Sequence, residues 1–452
     1  MSMIARVVGR ASISRYMVAS RLQKYEAAVI RSRRSEVGKW GRREVWKKGD
    51  DVKDICNMPL IVFDEEVVQF LGDLSAEILK SPLARQYPDI SAFAFYARKA
   101  NLKKLKEELN LESGRLGRGL CFHITPANIP INFAFSWMFS LLAGNANIVR
   151  LPSKPFPQVD ALLSVIQAHL TRNQKLETRN RFVRYPRTDN ETTTMYSAMA
   201  DCRMIWGGDR TIAAIKALPA RPRSVDICFA DRYSVALINA DAVMAADDAQ
   251  MTRLVEGFYN DTYLMDQNAC SSPQVILWEV GKWGSGEVEK ARERFWASVE
   301  DVAKKKYVLQ DAVAVDKYTL FCEEAVNNPL IKRVVRSGNL LYRVELQALT
   351  PPQHSNFPTS QLPNSITSHR GKAGFFFEYI LKSRDEFFAI VTEKFQTITQ
   401  FGVDVEELRG QIVERGLRGI DRIVLIGQAM NIGVVWDGCD LVRSLSRIVN
   451  VA

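Results

Sequence analysis

A proline-stiffened turn between apolar stretches, within residues 120–154, constrains the fold of this chain more than any other feature. Each proline of the segment 126–130 fixes its own φ and steers the preceding residue away from helix. Residues 131–143 are apolar on almost every side, which is typical of a helix buried against a sheet. With apolar runs at 120–124 and 147–151, the stretch predicts a βαβ unit. It is either a ligand-binding turn at the carboxyl end of a strand or an ordinary βαβ unit with a stiffened turn.

A second strand–glycine–helix step lies at 204–218. Gly207 and Gly208 separate its strand from its helix, so backbone N–H groups at this turn could face a phosphate. The remaining apolar patterns predict an α/β protein with buried strands and amphipathic helices. Helices are predicted at 65–81, 92–109 and 159–170, and strands at 234–238, 275–278, 375–382 and 423–426. The glycine-rich segment that ends at Gly119 is predicted to be a flexible connector.

Cys270 lies just before one of these strands, among small and polar neighbours that run from Asn268 to Ser272. A thiol in such surroundings can be reached by a substrate, and turn N–H groups can depress its pKa. A buried, inert cysteine is the alternative. No histidine is near in sequence, so a Cys–His hydrolase cannot be assembled from the sequence.

The composition excludes several classes of protein. No apolar run reaches the roughly 18 residues that a membrane span needs. Seven cysteines form no CxxC pair and show no metal-ligand spacing, and the four histidines are isolated. We therefore expect no metal site. Without a recognisable signal peptide, the odd number of cysteines predicts free thiols in a reducing, cytoplasmic location.

The net charge of +10 is concentrated in the first fifty residues, which hold thirteen Lys and Arg against four Asp and Glu. This segment could contact a nucleic acid or an anionic cofactor, but a solvated basic surface is the favoured interpretation, and no nucleic-acid partner is predicted. Its first 24 residues contain five basic residues and no acid, as organellar transit peptides do, although nothing marks a cleavage site.

Five segments occur in the order of the aldehyde dehydrogenase superfamily. Their amino-acid sequences resemble those of the LuxC-type fatty acyl-CoA reductases (long-chain acyl-protein thioester reductases). They are HITPANIPINFAF, LLAGNANIVRLPSK, DQNACSSPQ, EKFQTITQFG and VWDGCDLVRSLSR. The resemblance implies an α/β fold with a Rossmann-type cofactor domain and a catalytic α/β domain that carries the nucleophilic cysteine. We predict a basic segment at 1–60, the cofactor domain at 61–235 with part of 411–452, and the catalytic domain at 236–410.

The resemblance also implies roles for individual residues. Cys270 would take the acyl group from a thioester, and the side-chain amide of Asn128, with the N–H of Cys270, would form the oxyanion hole. Glu393 would bind the ribose on the nicotinamide side, and Phe395 would pack near the nicotinamide. The full set of implied cofactor-binding residues is Thr125, Pro126, Arg150, Ser153, Lys154, Gly207, Gly208, Glu393 and Phe395.

Two departures from the aldehyde-oxidising relatives refine the prediction. Arg150 and Lys154 occupy a stretch in which those relatives carry a glutamate, and cations there favour the 2′-phosphate of NADP(H). The stretch that should hold a glutamate general base has Phe229 or Ala230 instead, with Asp231 as the nearest acid. An enzyme without that base activates water poorly, so we expect the acyl group to react by thioester chemistry and not by hydrolysis.

The predicted function is therefore NADPH-dependent reduction of a fatty acyl thioester, acyl-CoA or acyl-protein, to a fatty aldehyde through acyl-Cys270, with CoA as the leaving group. A homo-oligomer and an acyl-transferring or acyl-activating partner enzyme are expected. The alternatives are a short-chain, CoA-dependent acylating aldehyde dehydrogenase and an inactive homologue of the fold that acts as a binding module.

Overall fold

The computed structural model describes residues 54–126, 129–281, 285–350 and 366–451. Most of the basic N-terminal segment lies outside the described residues, as does Asn128, the predicted oxyanion donor. Helices and strands alternate through most of the described chain, and helices pack against the two large sheets. This arrangement confirms the predicted α/β class.

The helices agree in most cases with the apolar patterns. The first begins where the Asp64 carboxylate accepts the backbone N–H groups of Glu66 and Val67, as an N-cap residue does. The α-helices are α1 (Glu65–Lys80), α2 (Pro82–Gln86), α3 (Pro88–Tyr96), α4 (Lys99–Leu109), α5 (Asn132–Leu142), α6 (Pro157–Leu170), α7 (Gln174–Glu177), α8 (Asn190–Met199), α9 (Asp209–Lys216), α10 (Ala240–Ala245), α11 (Asp248–Asp261), α12 (Ser285–Lys306), α13 (Asp311–Asn327), α14 (Arg384–Phe388), α15 (Val405–Glu414) and α16 (Leu441–Ser444). Across the described ranges, no helix combines the length and apolarity that crossing a membrane requires.

The strands form two large sheets and two small antiparallel pairs. They are β1 (Arg115–Gly117), β2 (Leu120–Ile124), β3 (Ala146–Arg150), β4 (Asn180–Val183), β5 (Cys202–Trp206), β6 (Val225–Phe229), β7 (Tyr233–Asn239), β8 (Pro273–Glu279), β9 (Ile331–Ser337), β10 (Leu341–Leu346), β11 (Phe375–Leu381), β12 (Phe395–Phe401), β13 (Arg422–Leu425), β14 (Val435–Trp436), β15 (Cys439–Asp440) and β16 (Ser446–Ile448).

The first large sheet is parallel throughout, in the order β4-β3-β2-β5-β6. Helix α5 joins β2 to β3, and ten of its eleven residues are buried, so the predicted βαβ unit with a buried helix is confirmed. Because β2 and β5 are neighbours, the proline turn after β2 and the glycine turn after β5 lie at the same edge of the sheet.

The second large sheet has the order β13-β12-β7-β8-β11-β10-β9 and is parallel except for the edge strand β9. The chain passes from one sheet to the other between Phe229 and Tyr233. Cys270 precedes β8, near the middle of the second sheet. The division into a cofactor domain and a catalytic domain stays a prediction.

The helix expected at 92–109 is in fact two helices, α3 and α4. Arg98 adopts an extended conformation between them, and the side-chain amide of Asn101 donates to the carbonyl of Tyr96 at 2.7 Å. Phe95, which the apolar pattern of a single helix over 92–109 would place on the buried face, is 50% exposed.

The connector before Gly119 was predicted to be flexible, and this was wrong. Residues 115–117 form β1, which pairs with β16 near the other end of the chain. Glycine is needed here for close approach, because a Cβ added at Gly117 would lie 2.4 Å from the carbonyl oxygen of Gly144.

Candidate active site

A cavity of about 450 Å³ lies where the carboxyl edge of the first sheet meets the second sheet and the C-terminal segment. It brings together four of the predicted site residues. Its lining residues are Pro126, Ile129, Asn132, Trp206, Gly207, Gly208, Asp209, Arg210, Thr211, Phe229, Ala230, Asp231, Ala269, Cys270, Ser271, Gln396, Met430, Ile432, Trp436 and Asp437. The predicted nucleophile therefore faces both turns that the sequence singled out.

The glycine turn leaves open space at the start of α9. A Cβ added at Gly208 would meet no atom within 4 Å, although its backbone is extended and any residue could adopt it. Glycine is therefore not required by the conformation, and its effect is to keep the cavity open at a helix N-terminus. Such a turn suits a negatively charged ligand group.

Trp206 and Phe229 form an aromatic wall of the cavity. Their rings stack with centroids 3.8 Å apart and planes 19° apart. The indole N–H of Trp206 donates to the Ser136 hydroxyl at 3.2 Å, and that hydroxyl lies 2.8 Å from Nδ1 of the buried His123. Because Nε2 of His123 lies 3.0 Å from the acceptor Oδ1 of Asn147, the proton belongs on Nε2, and Nδ1 accepts from Ser136. These consecutive hydrogen bonds fix the orientation of the Trp206 indole.

The turn that carries Cys270 is held in place by the side-chain amide of Gln267. Its Nε2 donates to the carbonyls of Pro273 and Phe375, at 3.2 and 3.0 Å, and its Oε1 accepts from the N–H groups of Gly374 and Phe375, at 3.0 and 3.2 Å. The backbone of Gln267 is left-handed, with φ of 61°. Left-handed backbone at a non-glycine residue is sparsely populated and persists where its surroundings enforce it.

Cys270 itself is partly buried, with its carbonyl accepting the Ser234 hydroxyl at 2.7 Å. Burial raises the pKa of its thiol above the ordinary value. The backbone N–H of Arg232 and the Arg370 guanidinium oppose this rise in pKa, and the carboxylates of Asp231 and Asp437 add to it. The N–H that lowers the thiol pKa belongs to Arg232, which precedes β7, and desolvation outweighs its effect. In the free protein, the thiol is therefore mostly protonated at neutral pH.

Asp231, the acid expected nearest to the missing base position, lines the cavity but is engaged by an arginine. Arg370 donates to its Oδ2 at 3.1 Å and to the carbonyl of Arg232 at 2.8 Å. The adjacent positions toward β6 carry Ala230 and Phe229, and Phe229 is 4% exposed against Trp206. The side chains from Phe229 to Asp231 thus contain one carboxylate, and it is paired with Arg370.

The structure adds a carboxylate that the sequence analysis missed. Asp437 follows β14 and reaches the cavity from the C-terminal segment, where the side-chain amide of Gln396 hydrogen-bonds its Oδ1. Burial raises the pKa of Asp437 above the ordinary value. In the sequence, Trp436-Asp437-Gly438 stands out only as part of the segment VWDGCDLVRSLSR, which resembles the LuxC-type reductases. A sequence gives no distance between residues so far apart, so no signal linked Asp437 to Cys270.

Two cavity-lining amides have oxygens without a hydrogen-bond partner among the described residues, Oδ1 of Asn132 and Oε1 of Gln396. Both residues are 3% exposed. A buried polar atom without a partner costs free energy, so acceptors of this kind indicate a place where a bound molecule supplies a donor.

Six predicted cofactor residues do not line this cavity. Thr125 donates to the carbonyl of Arg150 at 2.6 Å, which ties the ends of β2 and β3 together. The Arg150 guanidinium lies 4.6 Å from the ring centroid of Tyr185, and the Lys154 ammonium 5.4 Å from that of Phe156. The other three are Ser153 and Glu393, which are exposed, and Phe395, which is 1% exposed and packs on Tyr233 and Phe387. Their contacts with a cofactor stay predictions.

Residues 99–323, about half of the chain, match the sequence profile described as acyl-CoA reductase (LuxC). The match contains the proline turn, the glycine turn and Cys270. Among curated proteins, none has a sequence that matches this chain.

Solved structures with this fold are aldehyde dehydrogenases and relatives. An oxidoreductase from Marinobacter aquaeolei superposes with a TM-score of 0.57 at 10% identity, over 88% of this chain and 87% of the other. The NADP-dependent glyceraldehyde-3-phosphate dehydrogenase from Bacillus halodurans, solved with NADP, gives 0.53 at 13% identity over 85% of each chain. A NAD-dependent benzaldehyde dehydrogenase from Corynebacterium glutamicum gives 0.52 at 11% identity, over 85% of this chain and 80% of the other.

The matched profile and the shared fold agree with the order of the motifs along the chain. We conclude that the chain belongs to the acyl-CoA reductase (LuxC) family of oxidoreductases, built on the aldehyde dehydrogenase fold.

Proposed function

We propose that this protein uses NADPH to reduce a fatty acyl thioester to a fatty aldehyde through an acyl-Cys270 intermediate. The observation that carries the proposal is the surroundings of Cys270. The thiol faces a cavity in which stacked Trp206 and Phe229 occupy one wall, and Asp231 is held by Arg370. A thioester formed there has no carboxylate at positions 229 and 230 to activate water, which favours its reduction or its transfer to another thiol.

The choice of NADPH as cofactor is supported by the glycine turn after β5, by two cavity-lining amides and by the basic residues at the end of β3. Gly208 leaves room for a phosphate-bearing ligand at the start of α9, and Asn132 and Gln396 have acceptors for the carboxamide N–H groups of a nicotinamide. Arg150 and Lys154 support NADPH over NADH, because a 2′-phosphate takes charge-assisted hydrogen bonds from cations. When bound, the nicotinamide supplies the hydride.

This chain's own residues would perform the remaining tasks. Cys270 attacks the thioester carbonyl and expels the donor thiol. The N–H of Cys270 and the Asn128 amide would stabilise the oxyanion, and donors so placed contribute about 3–4 kcal/mol each. We propose a cytoplasmic homo-oligomer that receives its acyl group as acyl-CoA or from an acyl-transferring partner enzyme. The unpaired state of the seven cysteines supports that location.

The decisive experiment follows the acyl-enzyme directly. Intact-mass analysis after mixing with a panel of acyl-CoAs should show one acyl group, and NADPH should then release an aldehyde. Cys270→Ala should lose both results. Cys228→Ala, which alters another partly buried thiol, is the matched control and should lose neither. Reduction of short chains alone would favour the acylating aldehyde dehydrogenase, and no acylation by any donor would favour the binding module.

A second measurement tests the lack of a carboxylate base at positions 229 and 230. With aldehyde and NADP⁺ but no CoA, the enzyme should stall after one turnover with acyl-Cys270, and added CoA should restart it. Steady production of free acid without CoA would contradict the reductase proposal and favour an ordinary aldehyde dehydrogenase.

A further inference from the structure

We propose that Asp437 is the general acid–base residue for thiol exchange at Cys270, carrying the proton of the Cys270 thiol to the sulfur of the departing thiol. This inference rests on the proposed acyl-Cys270 chemistry. Its starting point is that Asp437 and Cys270 line one cavity, although they are far apart in the sequence.

The reaction needs such a proton carrier. Burial keeps the Cys270 thiol protonated in the free protein, so its proton must leave when the sulfur attacks the thioester. The departing alkyl thiolate is basic and leaves more readily when it is protonated. One group that first accepts and then donates this proton satisfies both needs.

The step balances without an added reactant. The S–H bond of Cys270 breaks, its sulfur bonds to the acyl carbon, and the proton moves to the Asp437 carboxylate. The bond between the acyl carbon and the donor sulfur then breaks, and the proton moves from Asp437 to that sulfur. The products are acyl-Cys270 and the free thiol, with Asp437 again ionised. The reverse sequence gives CoA-dependent release of the acyl group.

The Asp437 carboxylate is free to exchange a proton, because no cation of the described residues forms an ion pair with it. Gln396 is its hydrogen-bond partner, and no ion pair to Asp437 occurs within the described residues. Two arginines face it, but Arg232 pairs with Asp421, and Arg422 donates to the carbonyls of the 428–431 segment. The other titratable groups that face it are Asp421, Cys270 and Cys439.

Asp437 has apolar neighbours on its own segment. Met430, Ile432 and Trp436 line the cavity beside it and can pack against the sulfur of a thiol or thioester.

The backbone makes Asp437→Asn a sound test variant. Asp437 has φ of 48°, a left-handed conformation that asparagine adopts more easily than most residues. The asparagine oxygen can still accept from Gln396, so shape and hydrogen bonding are kept while proton transfer is lost. Asp248→Asn is the matched control, because it makes the same change at an exposed carboxylate of α11 that does not line the cavity.

The experiment measures single-turnover acylation of Cys270 by two donors, a fatty acyl-CoA and the aryl thioester of the same acid. An aryl thiolate is a weak base and leaves without a proton. Asp437→Asn should slow acylation by acyl-CoA by about 10²–10⁴-fold, the usual range for general acid–base help, and acylation by the aryl thioester by a smaller factor, because only the removal of the Cys270 proton is then unassisted. Asp248→Asn should slow neither by more than a few-fold.

Equal slowing with both donors would assign Asp437 a structural role, and unchanged rates would remove it from the reaction, so either result overturns the proposal. Hydride transfer to a pre-formed acyl-enzyme should be unaffected in Asp437→Asn. If the unaltered protein forms acyl-Cys270 with neither donor, the proposed function has failed instead, which keeps the two outcomes apart.

Discussion

Gln267 hydrogen-bonds the backbone of Phe375 on both sides, accepting its N–H at 3.2 Å and donating to its carbonyl at 3.0 Å. The side-chain amide of Gln267 thus pairs with backbone groups at the start of β11, as a neighbouring strand would. It links the turn that carries Cys270 to that strand. In this way a single amide positions the nucleophile relative to the second sheet.

We predict that Gln267→Glu lowers both the thermal stability and the rate of Cys270 acylation. A carboxylate cannot donate to the two carbonyls, and each buried group left unsatisfied costs about 1–3 kcal/mol. Thermal unfolding and single-turnover acylation measure the two effects. Gln347→Glu is the control, because the side chain of Gln347 makes an exposed hydrogen bond to Pro329. An unchanged melting temperature for Gln267→Glu would show that the bridge is unimportant.

The stack of Phe229 on Trp206 should be measurable as stability. Phe229→Ala removes a nearly buried ring and should lower the free energy of unfolding by about 3–5 kcal/mol, the usual cost of deleting a core phenylalanine. Phe95→Ala removes the same side chain from a half-exposed position and should change it by less than about 0.5 kcal/mol. Chemical denaturation monitored by tryptophan fluorescence provides the comparison. Similar losses for both variants would argue against the aromatic wall.

The preference for NADPH should depend on Arg150 and Lys154. A charge-assisted hydrogen bond contributes about 1.5–3 kcal/mol, so changing both residues to glutamine should weaken NADPH by about 100-fold or more and NADH little. Equilibrium binding of both cofactors tests this. Arg184→Gln is the matched control, since Arg184 directly follows β4 in the same sheet and pairs with Asp160 at 2.8 Å. Equal weakening of both cofactors would assign Arg150 and Lys154 to shared or structural contacts.

Local patterns predicted the parts of the fold that depend on local physics. The buried run 120–124, the apolar helix that became α5 and the strand before Arg150 were all confirmed, because side-chain periodicity and proline geometry act over a few residues. The same reasoning failed at β1, whose partner β16 lies more than 300 residues away.

The candidate site shows the same contrast between residues found from local patterns and residues placed by long-range packing. Cys270 and Gly208 were found from their immediate neighbours, and the cavity contains both. Asp437 and Gln396 were missed, because their relevance comes from tertiary packing of the C-terminal segment against β12. Phe395 was assigned to the cofactor by resemblance, whereas its ring lies in the core beside Tyr233. Alternation along β12 directs the neighbouring Gln396 to the cavity instead.

Asp261 should make the stability of this protein depend on pH between about 4 and 6. Its buried carboxylate accepts the N–H groups of Gly427 and Ala429, at 2.6 and 2.9 Å, and so holds the loop that leads to Met430 of the cavity wall. Burial raises the pKa of Asp261 to about 6, from an ordinary value of 3.8, although the two N–H groups oppose the rise.

The direction in which the free energy of unfolding changes with pH follows from proton binding. Between these two values the folded state holds a proton that the unfolded state has lost, so the free energy of unfolding falls as the pH rises from about 4 to 6. A difference of about two pKa units corresponds to about 3 kcal/mol. Asp261→Asn cannot titrate, so its unfolding free energy should change less over this range. It should also have a looser 427–429 loop, because one amide N–H would face a backbone N–H.

Urea denaturation at several pH values between 4 and 7 measures the difference between the two proteins. Asp248→Asn alters an exposed acid in the first turn of the same helix, and its profile should run parallel to that of the unaltered protein. Carboxylates that ion pairs keep ionised, such as Glu345 with a pKa lowered to about 2, lose their stabilising effect only at lower pH. Parallel profiles for Asp261→Asn and the unaltered protein would mean that Asp261 stays ionised throughout this range, with the backbone N–H groups outweighing its burial.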